Sequence, residues 1–327
     1  MSKLYTPLDN QTLRCELCFR HCRIAEGARG FCGVNGSVNG ELCSLVYGQP
    51  DAMQIDPIEK KPLYHFYPGT NILSLGTIGC NFRCPFCQNS HLSFGKLRPK
   101  ESVTNKEIID QALRRNVPVI AFTYNEPTIN WLWYRDLAKD AKATGLKTVM
   151  VTNGSMSTVV AEEMIRLIDA VNIDLKSGSS STYRTQLQGN LETVLKSSAF
   201  LFKEGVWVEL TTLIVPGISS SPKEFSELAG RIQEEIGTNL PWHLSAYHPA
   251  HTYVEPATPH SDIEPFREIL ARKGFCFVYE GNTGYGSDTR CPQCGDIVLS
   301  RKGYEVHKNM INGSCGSCGR SIEGRFV

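Results

Sequence analysis

Apolar residues in this chain gather into short, nearly continuous runs separated by longer mixed segments. The runs are Ile72–Leu75, Val117–Thr123, Leu146–Thr152, Ala170–Leu175, Val206–Val215 and Trp242–Tyr247. Strands buried on both faces read this way. Between the runs, apolar residues return at helical spacing behind recognisable start signals. Thr104-x-x-Glu107 has the form of a capping box and precedes Ile108, Ile109, Ala112 and Leu113 on one face. Ser221-x-x-Glu224, with Pro222 at the first helical position, precedes Phe225, Leu228 and Ile232. Ser261-x-x-Glu264 opens a third such segment. Strand and helix alternate over residues 71–280, which predicts an α/β fold with a parallel sheet covered on both faces. Six such units are two short of a closed eight-fold barrel, and in parallel barrels the chemistry sits at the carboxyl ends of the strands.

The flanks read differently. Residues 1–70 are strand-poor and glycine-rich, and they carry Cys15, Cys18, Cys22 and Cys32 as C-x2-C-x3-C-x9-C. A segment that buries little apolar surface needs another source of stability, so these four thiolates are expected to form one metal site. The spacing leaves zinc and a second iron–sulfur cluster both open. After the flexible-looking stretch Glu280–Gly286, residues 281–327 carry Cys291-x-x-Cys294-Gly and Cys315-x-x-Cys318-Gly, the signature of a zinc ribbon. Residues 285–327 hold six Lys or Arg and four Asp or Glu, a net of +2. That excess is too small to argue for nucleic acid; the ribbon is expected to be structural or a docking surface, with RNA contact as the lesser alternative.

Composition narrows the setting. The chain has 327 residues, 41% hydrophobic and 20% charged, with a formal net charge of +1. No global field favours nucleic acid or a membrane surface. Met1–Asn10 is polar and every apolar run is short, so no signal peptide or spanning helix is expected and the protein is expected in the cytoplasm. Thirteen cysteines in a reducing compartment point to metal ligation rather than disulfides. Eleven of them fall into three groups, leaving Cys43 and Cys276 over.

The central group is Cys80, Cys84 and Cys87, in Gly79-Cys80-Asn81-Phe82-Arg83-Cys84-Pro85-Phe86-Cys87-Gln88-Asn89, directly after the first apolar run. Three thiolates on one tight loop suit an iron–sulfur cube with one iron left open; a zinc knuckle is the plainer alternative. This loop and its position resemble the radical S-adenosylmethionine (SAM) superfamily. The resemblance implies a partial (β/α)6 TIM-like barrel and a [4Fe–4S] cluster on Cys80, Cys84 and Cys87. The amino and carboxylate groups of SAM would take the open iron, and reduction would release methionine and a 5′-deoxyadenosyl radical. Thr123-Tyr124-Asn125-Glu126-Pro127 resembles the family's Gly-Gly-Glu-Pro element, which implies that Glu126, with Asn125, meets the SAM amino group. A helix N-cap is the competing role for that carboxylate. Asn153 and Gly154 are similar to the family's ribose-contacting and close-approach positions. Asp174-x-Lys176 is similar to the element of glycyl-radical activases that meets the SAM carboxylate, and Val215-Pro216-Gly217 to a loop of the same enzymes. His248, in preference to His243, occupies the last strand end.

Lys61-Pro62-Leu63-Tyr64-His65-Phe66 before the first strand, the cysteine loop, the Glu126 element and the terminal ribbon together resemble the radical SAM member of the AmmeMemoRadiSam group. That group is similar to pyruvate formate-lyase activating enzymes. One departure is visible, because Asn35 stands after Val34 where the group usually has arginine. The resemblance implies a protein substrate, an electron donor of the reduced flavodoxin or ferredoxin type, and Memo-type and AMMECR-type proteins as partners. An enzyme modifying RNA or a small metabolite, and a non-enzymatic multi-zinc scaffold, are the alternatives.

Overall fold

The computed structural model describes residues 4–9 and 11–326; Met1, Ser2, Lys3, Asn10 and Val327, part of the polar leader and the last residue, lie outside the described residues. Its centre is one eight-stranded sheet made of Ala52–Pro57, Asn71–Gly76, Val119–Phe122, Lys147–Thr152, Ala170–Asp174, Trp207–Ile214, Pro241–Ala246 and Phe277–Gly281. Neighbours in sequence are neighbours in space throughout. All adjacent pairs are parallel except the first, in which Ala52–Pro57 runs antiparallel to Asn71–Gly76. The six expected strand–helix units are present as a partial barrel.

Two strands lie beyond those expected. Phe277–Gly281 adds a seventh parallel strand, and its apolar signal is too short to stand out. Ala52–Pro57 is a half-exposed edge with Gln54 and Asp56 in it, so it lacks the near-continuous apolar run of its neighbours. The sheet therefore begins inside the stretch assigned to the amino-terminal cysteine segment.

The start signals behave as expected in two of three cases. Thr104 and Glu107 form a reciprocal capping box before Asn105–Arg114, and Ser221 caps Pro222–Glu235. The third does not: Ser261 lies in a short 3-10 turn, its hydroxyl goes to Asp262, and the helix Glu264–Arg272 starts without a side-chain cap.

The two ends of the barrel are closed by different segments. At the amino ends of the strands, Ile58, Leu63 and Phe66 pack against Ile72, Val119, Val149, Ala170 and Trp207. Glu209, fully buried, accepts the backbone N–H groups of Tyr64 and His65 at 2.8 Å each and binds His243 at 2.8 Å. Residues 58–67 thus plug the floor. The carboxyl-terminal tail, with strands Thr289–Arg290, Ile297–Lys302 and Glu305–Lys308, covers the plug. Tyr67 N–H donates to the Arg325 carbonyl at 2.8 Å and Arg301 donates to the Tyr64 carbonyl at 2.8 Å. The connection that looked flexible in sequence is tied down, with Asn282 donating to the Ala246 carbonyl at 3.0 Å.

The opposite end receives the amino-terminal segment, whose chain passes close to the loops after the strands. Phe19 N–H donates to the Ser155 carbonyl at 3.1 Å. A Cβ at Gly79 would meet the Cys32 carbonyl at 2.7 Å, so the approach there requires glycine, whose φ is +90°.

Candidate active site

The strand Asn71–Gly76 delivers the chain into a loop held from several sides. Asn125 braces it by donating to the carbonyls of Gly79 (2.8 Å) and Ile78 (3.3 Å) and to Thr77 Oγ1 (3.1 Å). Arg83 donates to the carbonyls of Cys80 and Phe82 within the loop and to Phe31 of the amino-terminal segment, all at 2.8 Å. On this frame Cys84 is buried and Cys80 and Cys87 are half-buried. The three sulfurs lie in mutual electrostatic range, and burial pushes the Cys84 thiol up to about 12 and Cys80 upward as well, each opposed by backbone N–H contacts. Dry thiols held this way need a positive centre to become thiolates. They do not draw together within 4.8 Å as the ligands of a closed zinc site would. Separated soft sulfurs, each meeting a different iron, are the donor set of a cube.

Polar residues converge from the neighbouring strand ends. Glu126 is 2% exposed and accepts three hydrogen bonds, from Thr128 N–H (3.0 Å), Thr152 Oγ1 (2.7 Å) and Asn153 N–H (2.7 Å). The N-cap role is therefore real, but it occupies only one of about four acceptor positions on a carboxylate, and the three bonds together leave one. Burial raises the Glu126 pKa, against the pull of those donors. Before it, Tyr124 takes φ +73°, a left-handed conformation suited to the glycine of the family element. Its hydroxyl, donating to Asp56 at 2.7 Å, and the Lys61 ammonium 4.3 Å from its ring hold it there.

Asn153 donates to Asn81 Oδ1 at 2.9 Å, and Asn81 in turn donates to Ser155 Oγ at 2.8 Å. Lys176 pairs with Asp174 at 2.9 Å. Burial alone would lower the lysine pKa, yet the Asp174 carboxylate and the nearby Cys84 outweigh it and raise the pKa above its ordinary value. A fixed cation thus stands beside the cysteine loop, with a buried carboxylate on an adjoining strand end.

The radical SAM superfamily profile matches residues 75–232, from the first parallel strand into the helix Pro222–Glu235. An uncharacterized protein of Methanocaldococcus jannaschii is 38% identical over 98% of this chain and 97% of its own length. The chain belongs to the radical SAM superfamily. A second M. jannaschii protein, provisionally named a glycyl-radical enzyme activating enzyme, is 28% identical over 58% of this chain and 76% of its own. Among solved structures, Streptococcus suis SuiB bound to S-adenosylmethionine matches with TM-score 0.52 at 14% identity. That match covers 69% of this chain and 53% of SuiB, so the chain spans about half that protein's length. The likeness to SuiB is one of fold.

As a radical SAM enzyme, the chain implies SAM and a [4Fe–4S] cluster, and the carboxyl ends of its strands are where the described polar residues meet. Other sequence-predicted residues fall elsewhere. His243 is buried in the floor against Glu209, and His248 is exposed beyond its strand end. The four tail cysteines do draw together, with all ligand atoms within 4.8 Å and sulfur pairs at 3.5 and 3.7 Å; this quartet could hold a metal ion, on the barrel end away from the cysteine loop. Cys15, Cys18, Cys22 and Cys32 line one cavity. Sequence reasoning assigned no role to Asn81 or Arg83, although both lie inside the cysteine motif. No helix among the described residues is long and apolar enough to cross a membrane.

Proposed function

We propose that this radical SAM enzyme reductively cleaves SAM at Cys80, Cys84 and Cys87 and uses the product to abstract a hydrogen atom from a protein. The observation that carries the SAM part is a buried carboxylate with one acceptor position left, Glu126, near Cys80, and a buried cation, Lys176, near Cys84 of the same loop. A bound [4Fe–4S] cluster would supply the electron that splits SAM into methionine and a 5′-deoxyadenosyl radical. The protein's own share is to bind and orient. The remaining acceptor position of Glu126 suits an ammonium, and the Lys176 ammonium suits a carboxylate. Asn125 holds the loop rather than the ligand, and Asn153 borders the site through Asn81. The barrel plug and the amino-terminal segment close the two ends and keep water from the radical.

A protein substrate is favoured by the glycyl-radical activating enzyme among the relatives, and a glycine Cα hydrogen is the corresponding target. A reduced flavodoxin- or ferredoxin-type donor would provide the electron. Memo-type and AMMECR-type proteins are the partners proposed from family likeness, and zinc is the metal proposed for the tail quartet, whose sulfur spacing matches a tetrahedron with Zn–S of about 2.3 Å.

The test is formation of 5′-deoxyadenosine by reduced, anaerobically reconstituted enzyme, alone and with cell extract treated with protease or with nuclease. Stimulation that survives nuclease and is lost with protease is the expected result. Stimulation lost only with nuclease would move the substrate to RNA, and no cleavage in any tube despite bound iron would overturn the reading.

A further inference from the structure

We propose that Cys15, Cys18, Cys22 and Cys32 hold a second iron–sulfur cluster, seated against the catalytic cysteine loop, and not a zinc ion. This goes beyond the reaction proposed above and concerns a different set of ligands. The argument is a comparison of two cysteine quartets in one chain. A zinc ion bound at about 2.3 Å by four sulfurs forces them to about 3.8 Å from one another, and the tail quartet has that spacing, with sulfur pairs at 3.5 and 3.7 Å. Among the described residues only the tail quartet draws its ligand atoms together in this way, within 4.8 Å of one another; the amino-terminal quartet does not form such a group. Yet its sulfurs are not dispersed: all six pairs interact electrostatically, and all four cysteines line a single cavity. None of them is in a disulfide. Four thiols around a common space that do not close on one ion as the tail quartet does match a body in which each cysteine meets a different iron.

The surroundings are those of a cluster as well. Phe31 N–H points to Cys22 Sγ at 3.5 Å and the Asn35 amide to Cys32 Sγ at 3.4 Å, the kind of N–H···S contact that sets cluster potential. Asn35, the residue that departs from the family's arginine, also donates to the Ile129 carbonyl at 2.7 Å and is 2% exposed. With four cysteines the cluster has no open iron, so it would not take SAM.

The cavity shares a wall with the catalytic loop. Asn81, next to Cys80, lines it together with Cys18. Arg20 donates to the Asn81 carbonyl at 2.8 Å and lies 3.4 Å over the Phe31 ring, while Arg83 of the catalytic loop lies 4.0 Å from the same ring.

Metal counting and EPR on anaerobically reconstituted protein test this. Wild type is expected to hold about eight iron atoms, two four-iron clusters, and one zinc. A Cys80→Ala/Cys84→Ala/Cys87→Ala variant should keep about four iron atoms and, when reduced, an EPR signal that SAM does not change. A triple variant with no iron and two zinc ions would overturn the proposal. A Cys18→Ser/Cys22→Ser variant should keep the SAM-responsive signal alone. Should that variant lack iron while the triple variant retains it, the catalytic assignment fails and this one stands. Asn35→Leu leaves every cysteine in place. In that protein one of two reduction midpoints should move to more negative potential while the SAM-responsive one stays; a single, SAM-responsive midpoint would again overturn the proposal.

Discussion

The carboxylate of Glu126 accepts the backbone N–H of Asn153 at 2.7 Å, joining the chain after strand Val119–Phe122 to the end of strand Lys147–Thr152. The same carboxylate takes Thr128 N–H and the Thr152 hydroxyl, so it serves the scaffold and still has an acceptor position to offer.

Glu126→Gln separates these duties. The amide has one acceptor oxygen, so its NH2 must turn toward at least one of three donors. Losing a hydrogen bond to a charged acceptor costs about 1.5–3 kcal/mol. SAM binding measured by equilibrium dialysis on the cluster-loaded enzyme without added reductant is expected to weaken by at least about tenfold, with a lower melting temperature. A variant that melts lower yet binds SAM as wild type does would confine Glu126 to its capping role.

Lys176→Met tests the cation. The methionine stem fills similar space, while Asp174 loses its partner at 2.9 Å. Removing a charge-assisted contact to the SAM carboxylate should weaken SAM binding by about ten- to a hundredfold, and SAM should no longer reshape the cluster's EPR signal. An unchanged SAM affinity would reduce Lys176 to half of a local ion pair.

Much of this arrangement was legible in the chain because its signals are local. The strand runs and the helix start signals at Thr104 and Ser221 each lie within a dozen residues or so, and each corresponds to the element found; the tail cysteines, paired in sequence, meet in one group. What escaped depends on contacts far apart in sequence. Ala52–Pro57 is a strand only because Asn71–Gly76 offers it an edge. Tyr64 and His65 reach Glu209 across 145 and 144 positions, so residues 58–67 look like loop until the floor they fill is known. Asn125 was singled out for its place beside Glu126, and only the folded loop gives it a bracing role at Gly79. The choice between zinc and iron–sulfur at Cys15 is likewise a matter of sulfur spacing, which sequence spacing does not carry.

The tail is more than an appendage. Arg301 lies 4.1 Å from the Tyr64 ring and donates to the Tyr64 carbonyl, so loss of the metal-binding fold should uncover the plug. Cys315→Ala is expected to speed proteolysis in residues 281–290 and lower the melting temperature by several degrees, while iron bound at the far end of the barrel remains. Simultaneous loss of iron would mean that the two ends are coupled more tightly than these contacts imply.

His65 should make the floor sensitive to acid. Its Nδ1 lies 2.6 Å from the Glu323 carbonyl, which can only accept, so Nδ1 carries the proton; Nε2, 2.5 Å from the Tyr279 hydroxyl, is left to accept. Burial pushes its pKa from 6.5 down to about 4, with the Glu209 carboxylate pulling the other way and Arg301 and His243 adding to the decrease. A base whose folded pKa lies below its unfolded one is bound by more protons when unfolded. Stability therefore holds above about pH 6.5 and falls as pH drops toward 4, by about 1.4 kcal/mol at pH 5.5. Glu209 itself, held below the ordinary carboxylate range chiefly by His243 against the effect of burial, adds its own loss only at lower pH. His65→Gln keeps one donor and one acceptor in roughly the same places and does not titrate. Melting curves at pH 7.5 and 5.5 should show the wild type losing a few degrees more than the variant. Equal losses in the two proteins would place the acid sensitivity elsewhere, since only the imidazole differs between them.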